Sequence, residues 1–320
     1  MKRRGFLQAG IVAAGAAQFG CSSAPEPIST GPPGRSPVAI LKASSYSADL
    51  AQVLRRGAEL CGLDAKGKRV LLKPNLVEFA SSTAINTHVA VIAAAVELFR
   101  SLGAAEVLIG EGPGHRRDTI ALAEEAEYRR GIEKFDALFT DLNRDDVSAV
   151  KGFADMGEIY LPNTVLQADL VVSLAKMKTH HWAGATLSMK NFFGIVPGAV
   201  YGWPKNQLHE VGIDRSIAEL HRVIPRKFAI VDGIVGMEGN GPIQGVPKNV
   251  GVLVMGADLV SVDATCCRIM GIDPERLEYL RLTAERGHAG LAQIEQRAES
   301  ITSVQSNFAL IDFMRGVRLS

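Results

Sequence analysis

Short apolar segments alternate along this chain with stretches of helical periodicity, and this alternation constrains the fold more than any other feature. The segments that suit buried strands are residues 38–41, 69–72, 107–109, 170–174, 228–231 and 250–255. The stretches with helical spacing are residues 50–61, 88–102, 118–135, 213–223 and 258–270. Strands that alternate with helices predict an α/β fold of three layers, a mostly parallel sheet with helices on both faces. We predict one such domain over residues 38–320.

The first residues predict an export signal. Lys2, Arg3 and Arg4 precede Gly-Phe-Leu and a weakly apolar run that is too short to span a bilayer. Paired arginines at this place resemble the twin-arginine signal, so residues 1–20 are interpreted as a signal peptide of that type. An ordinary secretory signal is the alternative. Either signal predicts an exported protein of the periplasm or cell envelope.

A tether is predicted between the signal and the domain. Residues 21–37 are rich in Ser, Pro and Gly, a composition typical of flexible linkers. Cys21 follows Gly20 in a context that resembles the end of a lipoprotein box. A lipid anchor at Cys21 and soluble release after cleavage nearby are the two alternatives, and the anchor is the one membrane contact that we expect.

Charge and cysteine content exclude several classes of protein. Lys and Arg number 35 against 34 Asp and Glu, so the formal net charge is +1 and no overall field attracts nucleic acid. The four cysteines include no C-x-x-C pair, which argues against a disulfide scaffold, a zinc ribbon and an iron–sulfur cluster within this chain. Recognition by charge must therefore be local, and no nucleic-acid partner is expected.

Polar side chains follow four of the predicted strands. In parallel α/β sheets, ligands bind beyond the carboxyl ends of the strands. A single lysine or glycine-rich turn at a strand end is explained equally well by solvent exposure or backbone freedom, but four polar strand ends in one sheet predict a shared cavity. The residues expected to border this cavity are Lys73, Glu111, Lys176, Lys178, His180, Lys190, Asp232 and Glu238.

An anion-binding group is the clearest chemical pattern. Lys176, Lys178 and His180 alternate, so their side chains share one face of an extended segment. Lys190 and Asn191 lie where a short helix can begin, and its amides would favour an anion. The predicted substrate-binding residues, for a phosphate or a carboxylate, are Lys73, Asn75, Lys176, Lys178, Lys190 and Asn191. His181, beside Trp182, is explained equally well as a surface residue.

Carboxylates and a histidine supply the predicted chemistry. Glu238, Asp232, His180 and Glu111 are candidates for acid–base catalysis. Alternatively, Asp232, Glu238 and Asp263 offer oxygen ligands to a divalent cation such as Mg²⁺ or Mn²⁺. Asp258 is interpreted as a helix N-cap instead. The adjacent Cys266 and Cys267 are interpreted as core thiols.

Four segments together resemble a known family. They are the Lys73-Pro74-Asn75 triplet, the 176–180 alternation, Lys190-Asn191-Phe-Phe-Gly194 and the glycine-rich stretch 232–242. In order and spacing they resemble the family called domain of unknown function 362, over roughly residues 38–290. The resemblance implies the α/β fold and the site, without a substrate. Many members also carry a ferredoxin-like module with cysteine-rich cluster motifs, which this sequence lacks.

Two functional interpretations remain open at this point. The first is an exported enzyme that acts on a small anionic substrate. Its reaction type stays open, because isomerases, lyases and transferases all use such a set of side chains. The second is a non-catalytic protein that binds an anion or a metallo-cofactor as the partner of a redox enzyme. Both interpretations require a small anionic ligand at the same strand ends.

Overall fold

The computed structural model describes residues 35–115, 118–284 and 294–319. The predicted signal peptide, Cys21 and the tether up to residue 34 lie outside these ranges. The strands are β1 Ser36–Lys42, β2 Arg69–Pro74, β3 Glu106–Glu111, β4 Phe139–Asp141, β5 Val147–Lys151, β6 Glu158–Pro162, β7 Leu170–His180, β8 Gly184–Thr186, β9 Lys227–Asn240, β10 Gln244–Gly256 and β11 Ile294–Ala298.

Most helices are short. They are α1 Leu50–Leu60, α2 Val89–Ser101, α3 Thr119–Glu125, α4 Tyr128–Gly131, α5 Phe135–Leu138, α6 Asn163–Leu166, α7 Ser188–Asn191, α8 Gly198–Tyr201, α9 Asn206–Glu210, α10 Ile213–Val223, α11 Leu259–Ile269, α12 Glu278–Ala284 and α13 Ile301–Val304. The 3₁₀ turns are Ala154–Met156, Phe192–Ile195, Pro274–Arg276 and Asp312–Val317. Within the described ranges, no helix combines the length and hydropathy needed to cross a membrane.

One mixed sheet organises the chain. Its strand order is β11-β1-β10-β9-β7-β2-β3-β4. The pairs β9–β7, β7–β2, β2–β3 and β3–β4 are parallel, whereas β10 is antiparallel to both of its neighbours. Strand β8 folds back on the end of β7, and β5 pairs with β6 in a separate ribbon. The chain moves outward from β2 to β3 and β4 and then returns to β7 on the other side of β2, which places a topological switch point between β2 and β7.

Apolar side chains of the sheet pack against helices on both faces. Leu72, Val172 and Ile230 pack on the side of α1 to α5, whereas Leu71, Val171 and Val231 pack on the side of α7, α10 and α11. This alternation follows from the two-residue period of a strand. The predicted three-layer, mostly parallel α/β fold is confirmed.

Helix ends agree with the local sequence signals. The side chains of Asp49 and Asp258 cap α1 and α11 by accepting hydrogen bonds from the amides of Gln52 and Val260. The predicted helix over residues 118–135 is wrong as a continuous element. It breaks between α3 and α4 at Glu127, whose φ of 65° lies in the left-handed region.

Two strands are longer than predicted. β7 continues past Leu174 to His180, and β9 continues past Val231 to Asn240. Lys176, Lys178, Asp232 and Glu238 therefore lie within strands rather than in loops that follow them. β9 and β10 extend together as a hairpin beyond the end of β2. Main-chain hydrogen bonds between the two strands therefore keep these residues in strand conformation, although apolar periodicity did not indicate a strand there.

Candidate functional site

A pocket of about 630 Å³ opens at the switch point between β2 and β7. Ligand sites of α/β proteins commonly lie at this position of the sheet. The predicted site residues that line it are Lys73, Asn75, Glu111, Lys178, His180, Lys190 and Asn191. Seven side chains singled out from the sequence are thus brought to one place, although they come from β2 and the residue after it, β3, β7 and α7.

A buried ion pair joins β2 to β3 at the base of the pocket. Lys73 Nζ lies 2.7 Å from Glu111 Oε2, and both side chains are 1% exposed. Glu111 also accepts hydrogen bonds from the amides of Leu76 and Gly112, at 2.9 and 2.8 Å. Lys73 Nζ donates a further bond, of 2.8 Å, to Asn191 Oδ1. Burial lowers the pKa of Lys73 and raises that of Glu111, and their attraction opposes both shifts.

Gly194 allows the main chain to pass directly over this ion pair. A β-carbon at position 194 would lie 2.0 Å from Glu111 Oε1 and 2.3 Å from Lys73 Nζ. The carbonyl of Gly194 also accepts a 2.9 Å hydrogen bond from the amide of Gly112. Only glycine therefore fits at this point without displacing the pair.

Two other lysines donate hydrogen bonds only to main-chain carbonyls within the part of the chain that the structure describes. Lys178 Nζ donates to the carbonyls of Ile85 and Pro242, at 2.7 and 3.3 Å. Lys205 Nζ donates to those of Gly112 and Phe193, at 2.6 and 2.9 Å. A carbonyl offsets less of the cost of burying a charge than a carboxylate does. Burial accordingly lowers the pKa of Lys178 well below its usual range and that of Lys205 to about 7.

Lys190 presents the least compensated charge of the pocket. Its Nζ lies 4.0 Å from the centre of the Phe193 ring, and within the described ranges it makes no hydrogen bond or ion pair. Burial, reinforced by the nearby charge of Lys73, lowers the pKa of Lys190 to about 7. Two buried oxygens of the pocket, Asn75 Oδ1 and Thr186 Oγ1, also lack hydrogen-bond partners within the part of the chain described. Such groups are typical of a site that a ligand completes.

Asp263 holds the short helix that carries Lys190 and Asn191. Its buried carboxylate accepts hydrogen bonds from the amides of Ser188 and Met189, at 2.8 and 3.1 Å, and from the Ser188 hydroxyl. Burial raises the pKa of Asp263 to about 7. These contacts give Asp263 a positioning role at the start of α7.

The hydrogen bonds of three pocket histidines determine which ring nitrogen carries the proton. His180 Nδ1 accepts from the amides of Trp182 and Ala183, both at 3.1 Å, so the proton of the neutral ring is on Nε2. His181 Nδ1 lies 2.8 Å from the carbonyl of Gly241 and must donate to it, which leaves a lone pair on Nε2. His209 makes the same kind of bond to the carbonyl of Lys205. Burial, followed by the charge of Lys190, holds the pKa of His180 well below its usual range.

Comparison with known proteins assigns the family. The family described as "Domain of unknown function (DUF362)" matches residues 70–268. This chain belongs to that family. A thylakoid-associated protein of Synechocystis sp. is 30% identical over 250 residues, which cover 74% of this chain and 75% of that protein. The family resemblance predicted from the sequence is confirmed.

Two solved structures are similar at lower levels. The lactate racemase apoprotein from Thermoanaerobacterium thermosaccharolyticum has a TM-score of 0.47 and 13% identity, over 74% of this chain and 57% of that one. A structural-genomics protein from Thermotoga maritima has a TM-score of 0.40 and 14% identity, over 81% of this chain and 62% of that one. This DUF362 member thus spans less than two thirds of either solved chain.

The prediction that Lys176 and Asp232 border the same pocket is wrong. Lys176 Nζ pairs with Asp232 Oδ2 at 2.9 Å, and Tyr46 accepts a hydrogen bond from Lys176 while it donates one to Asp232. This cluster adjoins a separate cavity of about 480 Å³. The cause is a bulge, because β9 inserts residues 233–236 between the strand partners of Lys176 and Lys178.

Glu238 also lies away from the pocket of this DUF362 protein. Its carboxylate accepts a 2.8 Å hydrogen bond from the amide of Ala309 and pairs with Lys248 at 3.2 Å, beside a third, open depression. Continuation of β9 as a strand directs it there. Asp232, Glu238 and Asp263 therefore do not form the predicted Mg²⁺ or Mn²⁺ site, and no group of three or more potential ligands occurs in the described residues.

Several pocket residues were not predicted as site residues from the sequence. They are His115, His181, Thr186, Lys205 and His209. Lys205 and His209 lie in the stretch between β7 and α10, whose density of Gly, Pro and Trp was the one available signal. Lys205 depends on the carbonyls of Gly112 and Phe193, which the fold brings near, whereas His209 bonds the carbonyl of Lys205, four residues before it.

Proposed function

We propose that this protein is an exported enzyme that transfers protons on a small organic anion bound in the lysine pocket. The observation that carries the proposal is the unpaired ammonium group of Lys190, which lies in a pocket together with the unpaired oxygens of Asn75 and Thr186. The two oxygens are buried and Lys190 is half-buried, and polar groups withdrawn from water in this way cost free energy unless a ligand satisfies them.

The charge balance of the pocket favours an anion. Among the described residues, Lys73, Lys178, Lys190 and Lys205 line it with a single carboxylate, that of Glu111, which is already paired with Lys73. A phosphate or carboxylate placed near Lys190 would form a charge-assisted hydrogen bond with it and would also reduce the repulsion among the lysines. The substrate-binding part of the proposal therefore rests on Lys190 and Lys178, with the Thr186 hydroxyl as a neutral donor and Asn75 Oδ1 as an acceptor for a hydroxyl group of the ligand.

The histidines support proton transfer rather than binding alone. The Nε2–H of neutral His180 can donate a hydrogen bond to an oxygen on which negative charge develops. The Nε2 of His181 has a lone pair that can accept a proton from the substrate and return it. Proton removal next to an acid or carbonyl group fits isomerase and lyase chemistry, so we assign His181 as the base and His180 as the stabilising donor.

Export is supported by the leader sequence alone. Arg3 and Arg4 favour the twin-arginine route to the periplasm or cell envelope. Replacement of both arginines with lysine should leave precursor in the cytoplasm, as measured by cell fractionation and immunoblotting. Undiminished export would exclude that route in favour of an ordinary secretory signal.

Hydrogen exchange in D₂O tests the enzymatic proposal without knowledge of the complete reaction. Short-chain 2-hydroxy, 2-oxo and phosphorylated acids would be incubated with the mature protein while loss of their C–H signals is followed by ¹H NMR. We expect one class to exchange, and we expect His181→Asn to slow that exchange roughly 10²- to 10⁴-fold while binding persists.

Glu238→Gln is the matched control, because its carboxylate lies outside the pocket, and it should retain full exchange. Tight anion binding without exchange for any acid would overturn the enzymatic proposal and favour the non-catalytic binding protein. Failure of every anion to bind, by calorimetry, would overturn the anion site itself.

A further inference from the structure

The pocket is too large for a simple anion. Its volume is about 630 Å³, and pockets of roughly 300–1,000 Å³ usually hold molecules larger than a phosphate or a short acid. The groups suited to an anion, the Lys190 ammonium and the Thr186 hydroxyl, account for a small part of the lining. The rest of the volume needs an occupant of different chemistry.

An aromatic wall leads away from Lys190 toward solvent. Phe193 contacts Lys190 and lies 6.0 Å from the ring of His209, and His209 lies 5.7 Å from Trp182. Trp182 in turn meets His181 edge to face at 4.8 Å. We call these four rings the aromatic wall. It connects the unpaired ammonium group to the rim of the pocket, and no carboxylate lies between them among residues 35–115, 118–284 and 294–319.

Trp182 is the most exposed part of this wall. Its side chain is 64% exposed even though it contacts two histidine rings, so a large apolar area remains uncovered beside the pocket. Ile243, at the tip of the β9–β10 hairpin, also lines the pocket. Exposed tryptophans at pocket rims commonly supply binding area, because the indole is large and loses little conformational entropy when it is covered.

We infer that the natural ligand is an organic anion with a planar aromatic or conjugated body, its acidic group at Lys190 and its ring along the aromatic wall. This inference rests on the proposed function, because it takes Lys190 as the anion site. It adds the chemical class of the remainder of the ligand. A flat ring would cover Trp182 and occupy volume that a short aliphatic acid leaves to water.

Calorimetric titration of the mature protein with three carboxylates tests the inference. Benzoate supplies an aromatic ring, cyclohexanecarboxylate an aliphatic ring of similar size, and acetate the acidic group alone. We expect benzoate to bind most tightly. Trp182→Ala should weaken benzoate binding about tenfold, the effect of losing one favourable aromatic contact, and change acetate binding less than twofold. Phe313→Ala, which removes an exposed aromatic ring outside the pocket, should change neither.

The outcomes separate the inference from the proposal beneath it. Equal affinity for benzoate and cyclohexanecarboxylate, or an unchanged benzoate affinity in Trp182→Ala, would overturn the aromatic ligand and leave the anion site intact. Lys190→Met should weaken all three carboxylates. If none of them, and no phosphate, binds the unaltered protein, the proposed function fails together with the inference.

Discussion

The buried ion pair between Lys73 and Glu111 allows a test of how much burial matters to stability, because β2 and β3 also carry a second ion pair that is exposed to solvent. At the carboxyl ends of β2 and β3 the two side chains are 1% exposed. At the opposite ends, Arg69 and Glu106 lie 3.3 Å apart with 48% and 46% of their side chains exposed. Both pairs join β2 to β3, with Arg69 directly opposite Glu106 in the strand register, and they differ greatly in their access to solvent.

Glu111→Gln should destabilise the protein by about 3 to 5 kcal/mol, because it leaves the buried ammonium of Lys73 without a counter-charge. The new NH₂ group would face either Lys73 Nζ and the amide of Leu76, which both donate to Oε2, or the amide of Gly112, which donates to Oε1. Glu106→Gln should cost about 1 kcal/mol or less, since water solvates the guanidinium that remains.

Urea-induced unfolding, followed by circular dichroism, measures both losses. The double variant Lys73→Met/Glu111→Gln should lose less stability than the sum of the losses of Lys73→Met and Glu111→Gln measured singly. The reason is that the double variant leaves no unpaired buried charge. A loss below about 1 kcal/mol for Glu111→Gln, equal to that of Glu106→Gln, would refute the reasoning that burial determines the importance of this pair.

Three further predictions concern the same pocket. Gly194→Ala should destabilise the protein by about 1 to 3 kcal/mol in thermal unfolding, whereas Gly114→Ala, whose β-carbon would meet nothing closer than 4.0 Å, should be nearly neutral; similar losses would contradict the predicted clash. Benzoate affinity should fall as the pH rises through about 7, where Lys190 loses its proton, and this fall should be smaller in Lys190→Arg; calorimetry across this range would show it, and parallel pH profiles would exclude Lys190 as the titrating group. The stability that Asp263 contributes should be complete below about pH 4 and should be lost as the pH rises through about 7, because folding raises the pKa of this carboxyl group. In urea unfolding across this pH range, Asp263→Asn should lack the decline in stability, and an unchanged decline would assign the titration to another group.

The sheet was predictable because burial on both faces leaves a strong apolar signal. Strands such as β2 and β3 are apolar up to the point where each ends, so Lys73 and Glu111 were correctly expected at one edge. Their convergence follows from parallel pairing of neighbouring strands, which the alternation of strands and helices implies.

The remainder of the site depends on pairing that composition does not reveal. The bulge at residues 233–236 separates Lys176 from Lys178, although the alternation of the two lysines predicted a shared cavity. Glu238 was misplaced because the hairpin of β9 and β10 continues through a glycine-rich stretch that is typical of a loop. The proton position of His181 depends on the carbonyl of Gly241, which is 60 residues away and which no spacing in the sequence indicates.

The alternation along β7 also limits what changes of length this protein can accept. Lys176, Lys178 and His180 face one side of the strand, while Ala175 and Met177 pack into the apolar core on the other. Deletion of a single residue just before Lys176 would exchange the two sides and turn both ammonium groups toward that core. A substitution in this segment changes the contacts of one side chain only. A one-residue deletion would instead disrupt both the lysine pocket and the Tyr46 cluster.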